Sequence, residues 1–237
     1  MHIALVFHMI GRVVSIVGAC MVFPLLWAWH DGSADLFPIL YGMLITLAAG
    51  AALTYFLRPK DDKKNLRARE SFAIVTLGWI FASFFGSLPY LFSGYFPTFA
   101  DAFFEIMSGF TTTGASILST VESLPRGILF WRSMTHWLGG MGIMVLFVAL
   151  ISNNNSNSGI GHVYKAEAPG PVKEKIAPKA SEGAKILWLT YIILSVILFF
   201  LLLLGGMSVF DAFCHTFGTM ATGGFSTKNA SIGFYDS

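Results

Sequence analysis

The chain has 237 residues, 55% of them hydrophobic and only 12% charged, and a mean hydropathy of +0.68. Soluble domains carry about 25% charged residues, so this balance excludes an ordinary soluble domain and describes an all-α polytopic membrane protein. The formal net charge is +2, and the absence of a Lys/Arg cluster interleaved with aromatics argues against nucleic acid as a partner.

Residues 13–29 read as a first span, closed by Trp27 and Trp29, which suit the membrane interface. Val17-Gly18-Ala19-Cys20 loosely matches a lipoprotein cleavage box, but the apolar run continues past Cys20, so a retained span is the reading. Cys20 and Cys214 both lie in apolar stretches and read as buried free thiols. After a turn at His30-Asp31-Gly32-Ser33, residues 37–57 form a second span. Its length is about 31 Å as a helix, the thickness of the hydrocarbon core. Residues 58–70, RPKDDKKNLRARE, are the most charged stretch of the chain. Residues 71–92 form a third span, with Pro89 near its end, where a lost amide bond costs least.

A short helix follows at 101–110, with Asp101 at its N-terminus, where a carboxylate favours the helix dipole. Residues 111–116 form a Thr/Gly loop and 117–127 return to the surface. Residues 128–151 form a fourth span, in which Gly139-Gly140-Met141-Gly142 admits close approach of another backbone. The polar residues 152–161 and the Pro- and Lys-bearing residues up to 185 read as an exposed linker. Residues 186–204 form a fifth span, 211–220 a second short helix and 221–227 a second loop. On alternating spans, the N-terminus, residues 58–70 and residues 152–185 share one side and hold 12 of the 15 Lys and Arg. The positive-inside rule puts that side in the cytoplasm, so the short helices enter from outside.

The two short helices and their loops are a repeat. DAFFEIMSGFTTTGAS at 101–116 returns 110 positions later as DAFCHTFGTMATGGFS at 211–226. Ten to twelve helical residues reach about 15–18 Å, half of the membrane core. Such a helix leaves its last carbonyls unpaired at mid-membrane, which is tolerated only inside protein or beside a water-filled path. A cation gains from those carbonyls and from the negative end of the dipole. The loop residues Thr111, Thr112, Thr113, Gly114, Ala221, Thr222, Gly223 and Gly224 are small, uncharged and backbone-rich. A divalent ion wants carboxylates, whereas neutral oxygens replacing a hydration shell suit a monovalent cation. These eight residues are therefore the candidate ion ligands, acting through backbone carbonyls. No catalytic residue and no other metal site is assigned.

At these residues the chain resembles the TrkH family of bacterial potassium-uptake proteins, relatives of KtrB and of potassium channels. The resemblance rests on the paired N-terminal spans, Ser87-Leu88-Pro89, DAFFE at 101–105, TTTGA at 111–115 and WLGGMG at 137–142. It continues through YKAE at 164–167, Pro169-Gly170-Pro171, Gly223-Gly224-Phe225-Ser226-Thr227 and Ala230-Ser231-Ile232-Gly233. It implies units of span, pore helix, filter loop and span, repeated four times around one pore, with an extra N-terminal helix pair. It also implies potassium as the transported ion with no covalently bound cofactor, the bacterial inner membrane, homodimers, and a cytoplasmic nucleotide-binding partner of the TrkA type. Against that pattern the chain divides into an N-terminal two-span unit (1–70), a first complete pore unit (71–151), a cytoplasmic linker (152–185) and a second pore unit cut off after its filter loop (186–237). Residues 152–158 are richer in Asn and Ser than the pattern leads one to expect.

Other readings compete. Truncation allows a non-conducting remnant of such a transporter. A polytopic membrane enzyme using His136, His215 or Glu105 lacks partner residues, since no HExxH occurs. Arg132 and His136 lie near the outer end of the fourth span, where interfacial positioning explains them as well as function does. Glu105 and His215 occupy the same position in the repeat, and pore-helix hydrogen bonding is their simplest role. Lys60, Lys63, Lys64, Arg67 and Arg69 read as topology signals, with anionic lipid or a cytoplasmic partner as further contacts.

Overall fold

A pair of apolar helices begins the chain. The computed structural model describes residues 2–59, 68–142 and 180–235. Helix α1 (Ile3–Cys20) continues through Met21 into α2 (Val22–Asp31), and together they form one apolar stretch of 29 residues. The first span therefore begins ten residues before the expected start at 13. The reason is packing: Val6, Ile10 and Val13 are all buried in the core. Arg12 is consequently an internal, half-buried helix residue.

Helix α3 (Leu36–Phe56) lies antiparallel against α1. In lipid, apolar burial alone does little to hold helices together, and close approach at small residues and hydrogen bonds do more. Both are present here. A Cβ at Gly11 would meet Leu53 and Thr54 at 2.7 Å, and one at Gly18 would meet Leu47 at 3.0 Å. Nδ1 of His8 donates to the Thr54 carbonyl over 2.8 Å. Helix α4 (Ala68–Gly86) packs on α1, with Phe7 and Phe81 edge to face at 5.9 Å. The chain then breaks at Ser87, and α5 (Leu88–Ser93) starts with Pro89 in its first turn, where a missing amide is harmless. The third expected span is thus two helices.

Four more helices complete the described fold: α6 (Phe99–Phe110), α7 (Arg126–Gly140), α8 (Ala180–Leu204) and α9 (Val209–Met220). A 3₁₀ turn, Ser231–Tyr235, follows. Among the described residues there is no strand, and four helical stretches are long and apolar enough to cross a membrane: Ile3–Asp31, Leu36–Phe56, Arg69–Ser93 and Ala184–Leu204. Of the expected span at 128–151, the residues beyond 142 lie outside the described residues, as do 60–67 and 152–179. Helix α8 begins six residues before the expected 186 and turns Leu189, Ile193, Ile197 and Leu201 outward, an apolar face suited to lipid.

Helix α7 is the centre of the assembly. Ile128, Trp131, Arg132, Thr135, His136 and Leu138 are all buried, and it packs against α2, α6 and α9. Its N-terminus is held from the α2–α3 turn: Oδ2 of the buried Asp35 accepts the Ile128 amide at 3.0 Å. A carboxylate there satisfies a free first-turn amide and opposes the dipole's positive end. Trp131 Nε1 donates to the Gly86 carbonyl at 2.9 Å and ties α7 to the end of α4.

Candidate functional site

Each short helix starts two residues before the position expected from the repeat, at Phe99 and Val209 instead of Asp101 and Asp211. The cause is an N-cap in each copy. Thr98 Oγ1 accepts the Asp101 amide at 3.2 Å while Asp101 Oδ2 accepts the Thr98 amide at 3.1 Å, a reciprocal capping box. In the second copy Ser208 Oγ accepts the Asp211 amide at 3.1 Å and donates to Asp211 Oδ2 at 2.8 Å. Both aspartates thus sit at the third helical position. The hydroxyl-x-x-Asp spacing was visible in the sequence as the signal that would have placed these starts.

The C-terminal ends match even more closely. In α6 the amides of Thr111, Thr112 and Thr113 donate to the carbonyls of Met107, Gly109 and Ser108 at 2.9, 3.1 and 2.9 Å. In α9 the amides of Ala221, Thr222 and Gly223 donate to Phe217, Thr219 and Gly218 at 3.2, 3.0 and 2.9 Å, the same pattern 110 residues on. The crossed pair is a Schellman closure, which requires a left-handed residue just past the helix. Glycine normally fills that position, but here it is Thr112 (φ 54°) and Thr222 (φ 55°). A β-branched residue with positive φ is a strained outlier, and the same outlier occurs at the same place in both copies. Two residues on, Gly114 (φ 74°) and Gly224 (φ 91°) are left-handed as well, while Thr113 and Gly223 between them are not.

This closure corrects the expectation of unpaired helix-end carbonyls. The carbonyls of Met107, Ser108 and Gly109 are taken, and the free ones are displaced into the loop. Among the described residues, no hydrogen bond reaches the carbonyl oxygens of Thr111, Thr112, Thr113, Gly114, Ala221, Thr222 or Gly224. Thr111 Oγ1 donates back to Met107 at 2.7 Å and lies 2.8 Å from Thr113 Oγ1. Thr111 and Thr113 are exposed in the first loop; in the second, Thr222 and Gly224 are exposed while Ala221 and Gly223 are buried. The two loops touch. A Cβ added to Gly114 would be driven into the carbonyl oxygen of Gly223.

Each loop is closed back onto its own short helix. Glu105 accepts from Ser116 Oγ at 2.8 Å and from the Ile117 amide at 3.0 Å. His215, its equivalent, lies 3.5 Å from Ser226 Oγ, and Ser226 is the equivalent of Ser116. Helix α7 packs against the C-terminal ends of both short helices. A Cβ on Gly139 would collide with the Phe110 carbonyl, and one on Gly140 would meet Ala221 Cα at 2.7 Å, so the small residues do admit the backbone approach expected of them.

Arg132 and His136 are not interfacial: both are sealed inside, at 3% and 0% exposure. Arg132 Nε donates to Glu105 at 2.7 Å and its Nη1 to the Ser226 carbonyl at 3.3 Å. Its guanidinium lies 3.5 Å over the Phe225 ring. His136 contacts Gly109 and Phe225. Both side chains therefore join the first repeat to the second. Nothing in their sequence neighbourhood announces this, because the partners lie 27 to 94 positions away. The residues just past the loops are also joined, as the Val121 amide donates to Asn229 Oδ1 at 3.0 Å and the Asn229 amide to Glu122 Oε1 at 2.8 Å.

A family model, TrkH: Cation transport protein, matches residues 36–237. The Trk system potassium uptake protein TrkH of Escherichia coli (strain K12) is 43% identical over 244 residues, covering all of this chain and 49% of that protein. Its counterpart from Halomonas elongata is 39% identical, again over the whole chain and 49% of the relative. The crystal structure of the potassium transporter TrkH from Vibrio parahaemolyticus superposes with a TM-score of 0.80 at 33% identity, over all of this chain and 47% of that one. The chain spans about half the length of the curated relatives it matches. These relatives are transporters and not enzymes, and their helical membrane fold is the one described above. The chain belongs to the TrkH family of cation transport proteins.

Proposed function

We propose that this chain forms part of a potassium-uptake pore, in which backbone carbonyls of Thr111–Gly114 and Ala221–Gly224 hold the ion. The observation that carries this reading is the paired left-handed backbone: positive φ at Thr112 and Gly114, and again at Thr222 and Gly224. Residues of alternating handedness turn successive peptide groups to the same side, so that several like dipoles converge on one ion. Oxygens of neutral carbonyls can then replace the hydration shell of a monovalent cation. The names of the Escherichia coli and Halomonas elongata relatives, both potassium uptake proteins, supply the ion.

The same reading places the chain in the bacterial inner membrane with its N-terminus cytoplasmic, driven by the membrane potential. It divides the chain at about residues 70, 151 and 185 into the N-terminal pair, a first pore unit, a linker and a second pore unit. Homodimers and a cytoplasmic nucleotide-binding partner of the TrkA type follow from the family resemblance.

The test is potassium-limited growth and rubidium-tracer uptake in a strain lacking its own potassium uptake, with the chain expressed from its native gene. Rescue is expected, and Gly114→Ser is expected to abolish it. Rescue that Gly114→Ser leaves unchanged would remove the loops from the ion path. No rescue at matched membrane abundance would favour the non-conducting remnant.

A further inference from the structure

We infer that His136 is a positioning residue for ion discrimination: one imidazole ring fixes the spacing between the two loops. The inference rests on the loop reading above. Nδ1 lies 2.7 Å from the carbonyl of Gly109, which also takes the Thr112 amide and so belongs to the closure of the first loop. Nε2 accepts the amide of Phe225, the residue directly after Gly224, at 3.2 Å. The ring stacks on Phe225 at 4.0 Å with the planes 19° apart. It also fills the space beside Gly223, where an added Cβ would fall on the ring.

The chemistry of the two partners is specific. A carbonyl needs a donor and an amide needs an acceptor, so the ring presents N–H at Nδ1 and a lone pair at Nε2. That is a neutral imidazole in one tautomer, and no Lys, Arg or Phe offers both. The charges nearest along α7 are already engaged, because Arg132 one turn earlier is paired with Glu105. The ring is fully buried, and each of its nitrogens has a backbone partner. Carbonyl ligands discriminate between ions only while their positions are held, within about 0.5 Å for a preorganised site. His136 touches one loop at its start and the other at its end, and it therefore sets their relative position.

The test is rubidium-tracer uptake with sodium as competitor, at matched membrane abundance, for His136→Phe, His136→Asn and His136→Gln. Phe keeps the stacking and removes both hydrogen bonds. Asn places a donor near Nδ1, and Gln places an acceptor near Nε2. The expected result is a roughly tenfold loss of rubidium-over-sodium discrimination in the Phe variant, the size of one hydrogen-bond free energy. It appears in the apparent KM with the maximal rate changed less than about threefold, and Asn and Gln each restore part of it. Three variants with the wild-type ratio would overturn the inference, as would a loss of rate with the ratio unchanged. If the Phe variant does not reach the membrane, the Asn and Gln ratios decide by the same criterion. Gly114→Ser run in parallel separates the two claims: uptake lost there but the His136 variants unaltered refutes the strut alone. A Gly114→Ser ratio equal to wild type refutes the loop reading itself.

Discussion

Arg132 Nε and Glu105 Oε1 lie 2.7 Å apart, with both side chains withdrawn from solvent and the acid further bonded to Ser116 and Ile117. The pair fastens α7 to the first short helix, and the Arg132 bond to the Ser226 carbonyl extends the link to the second loop. Removing one member leaves a buried charge without its counterpart, which typically costs about 3–5 kcal/mol. Glu105→Gln and Arg132→Met are each expected to lower the melting temperature in detergent sharply. The double variant Glu105→Gln/Arg132→Met is expected to melt higher than Arg132→Met alone plus Glu105→Gln alone would imply, because neighbouring effects are not additive. Additive losses would mean that the two side chains act separately.

Gly114 is the tightest point between the loops. It combines a φ of 74° with a position where a Cβ has no room against the Gly223 carbonyl. Gly114→Ala is therefore expected to abolish uptake while circular dichroism still reports a helical protein. Gly233→Ala is the control, because that glycine has open space and an ordinary φ. It is expected to leave uptake within about twofold of wild type, in line with surface substitutions generally. Equal effects at the two positions would show that glycine content, and not the contact between loops, is what matters.

Much of this arrangement was legible in the sequence. The DAF repeat placed both short helices and both loops, since their polarity and spacing are local properties. Gly139 and Gly140 announced a close approach, though not that the approaching groups would be Phe110 and Ala221. What was not legible depends on partners distant in the chain. Arg132 and His136 look interfacial on a linear reading, because only the fold brings Glu105, Gly109 and Phe225 to them. Thr112 and Thr222 hid their left-handed conformation for a different reason. Glycine is the residue that signals positive φ, and a β-branched residue is held there only by the hydrogen bonds around it. The N-terminal span starts earlier than 13 because the buried Val6 and Ile10 continue the same helix face, a packing partner that only the fold supplies.

The caps of the two short helices are expected to contribute separately. Thr98→Ala and Ser208→Ala each remove the acceptor of an Asp amide at the N-terminus. Loss of such a cap costs typically about 1 kcal/mol. The two sites belong to different helices and share no hydrogen-bond partner, so the double variant is expected to show the sum of the single losses within about 0.5 kcal/mol. Chemical denaturation in detergent measures this. A double variant much less stable than the sum would reveal coupling between the outer ends of the repeats.

Thr112 and Thr222 give the sharpest test of the strained closures. A left-handed conformation costs a non-glycine residue about 1–2 kcal/mol. Replacement by glycine removes that cost but frees the unfolded chain, an opposing effect of about 0.5–1 kcal/mol. The two nearly cancel, so Thr112→Gly and Thr222→Gly are expected to be as stable as wild type or slightly more so. Thr113→Gly is the contrast. Its φ is not positive, so there is no strain to relieve, and its hydroxyl contact with Thr111 is lost as well. That variant is expected to lose stability by about 1 kcal/mol or more. Melting temperatures of the three variants in the same detergent decide the matter. If Thr112→Gly is as damaging as Thr113→Gly, the left-handed threonine is not under strain in the folded protein, and the repeated positive φ loses its value as a mark of the ion site.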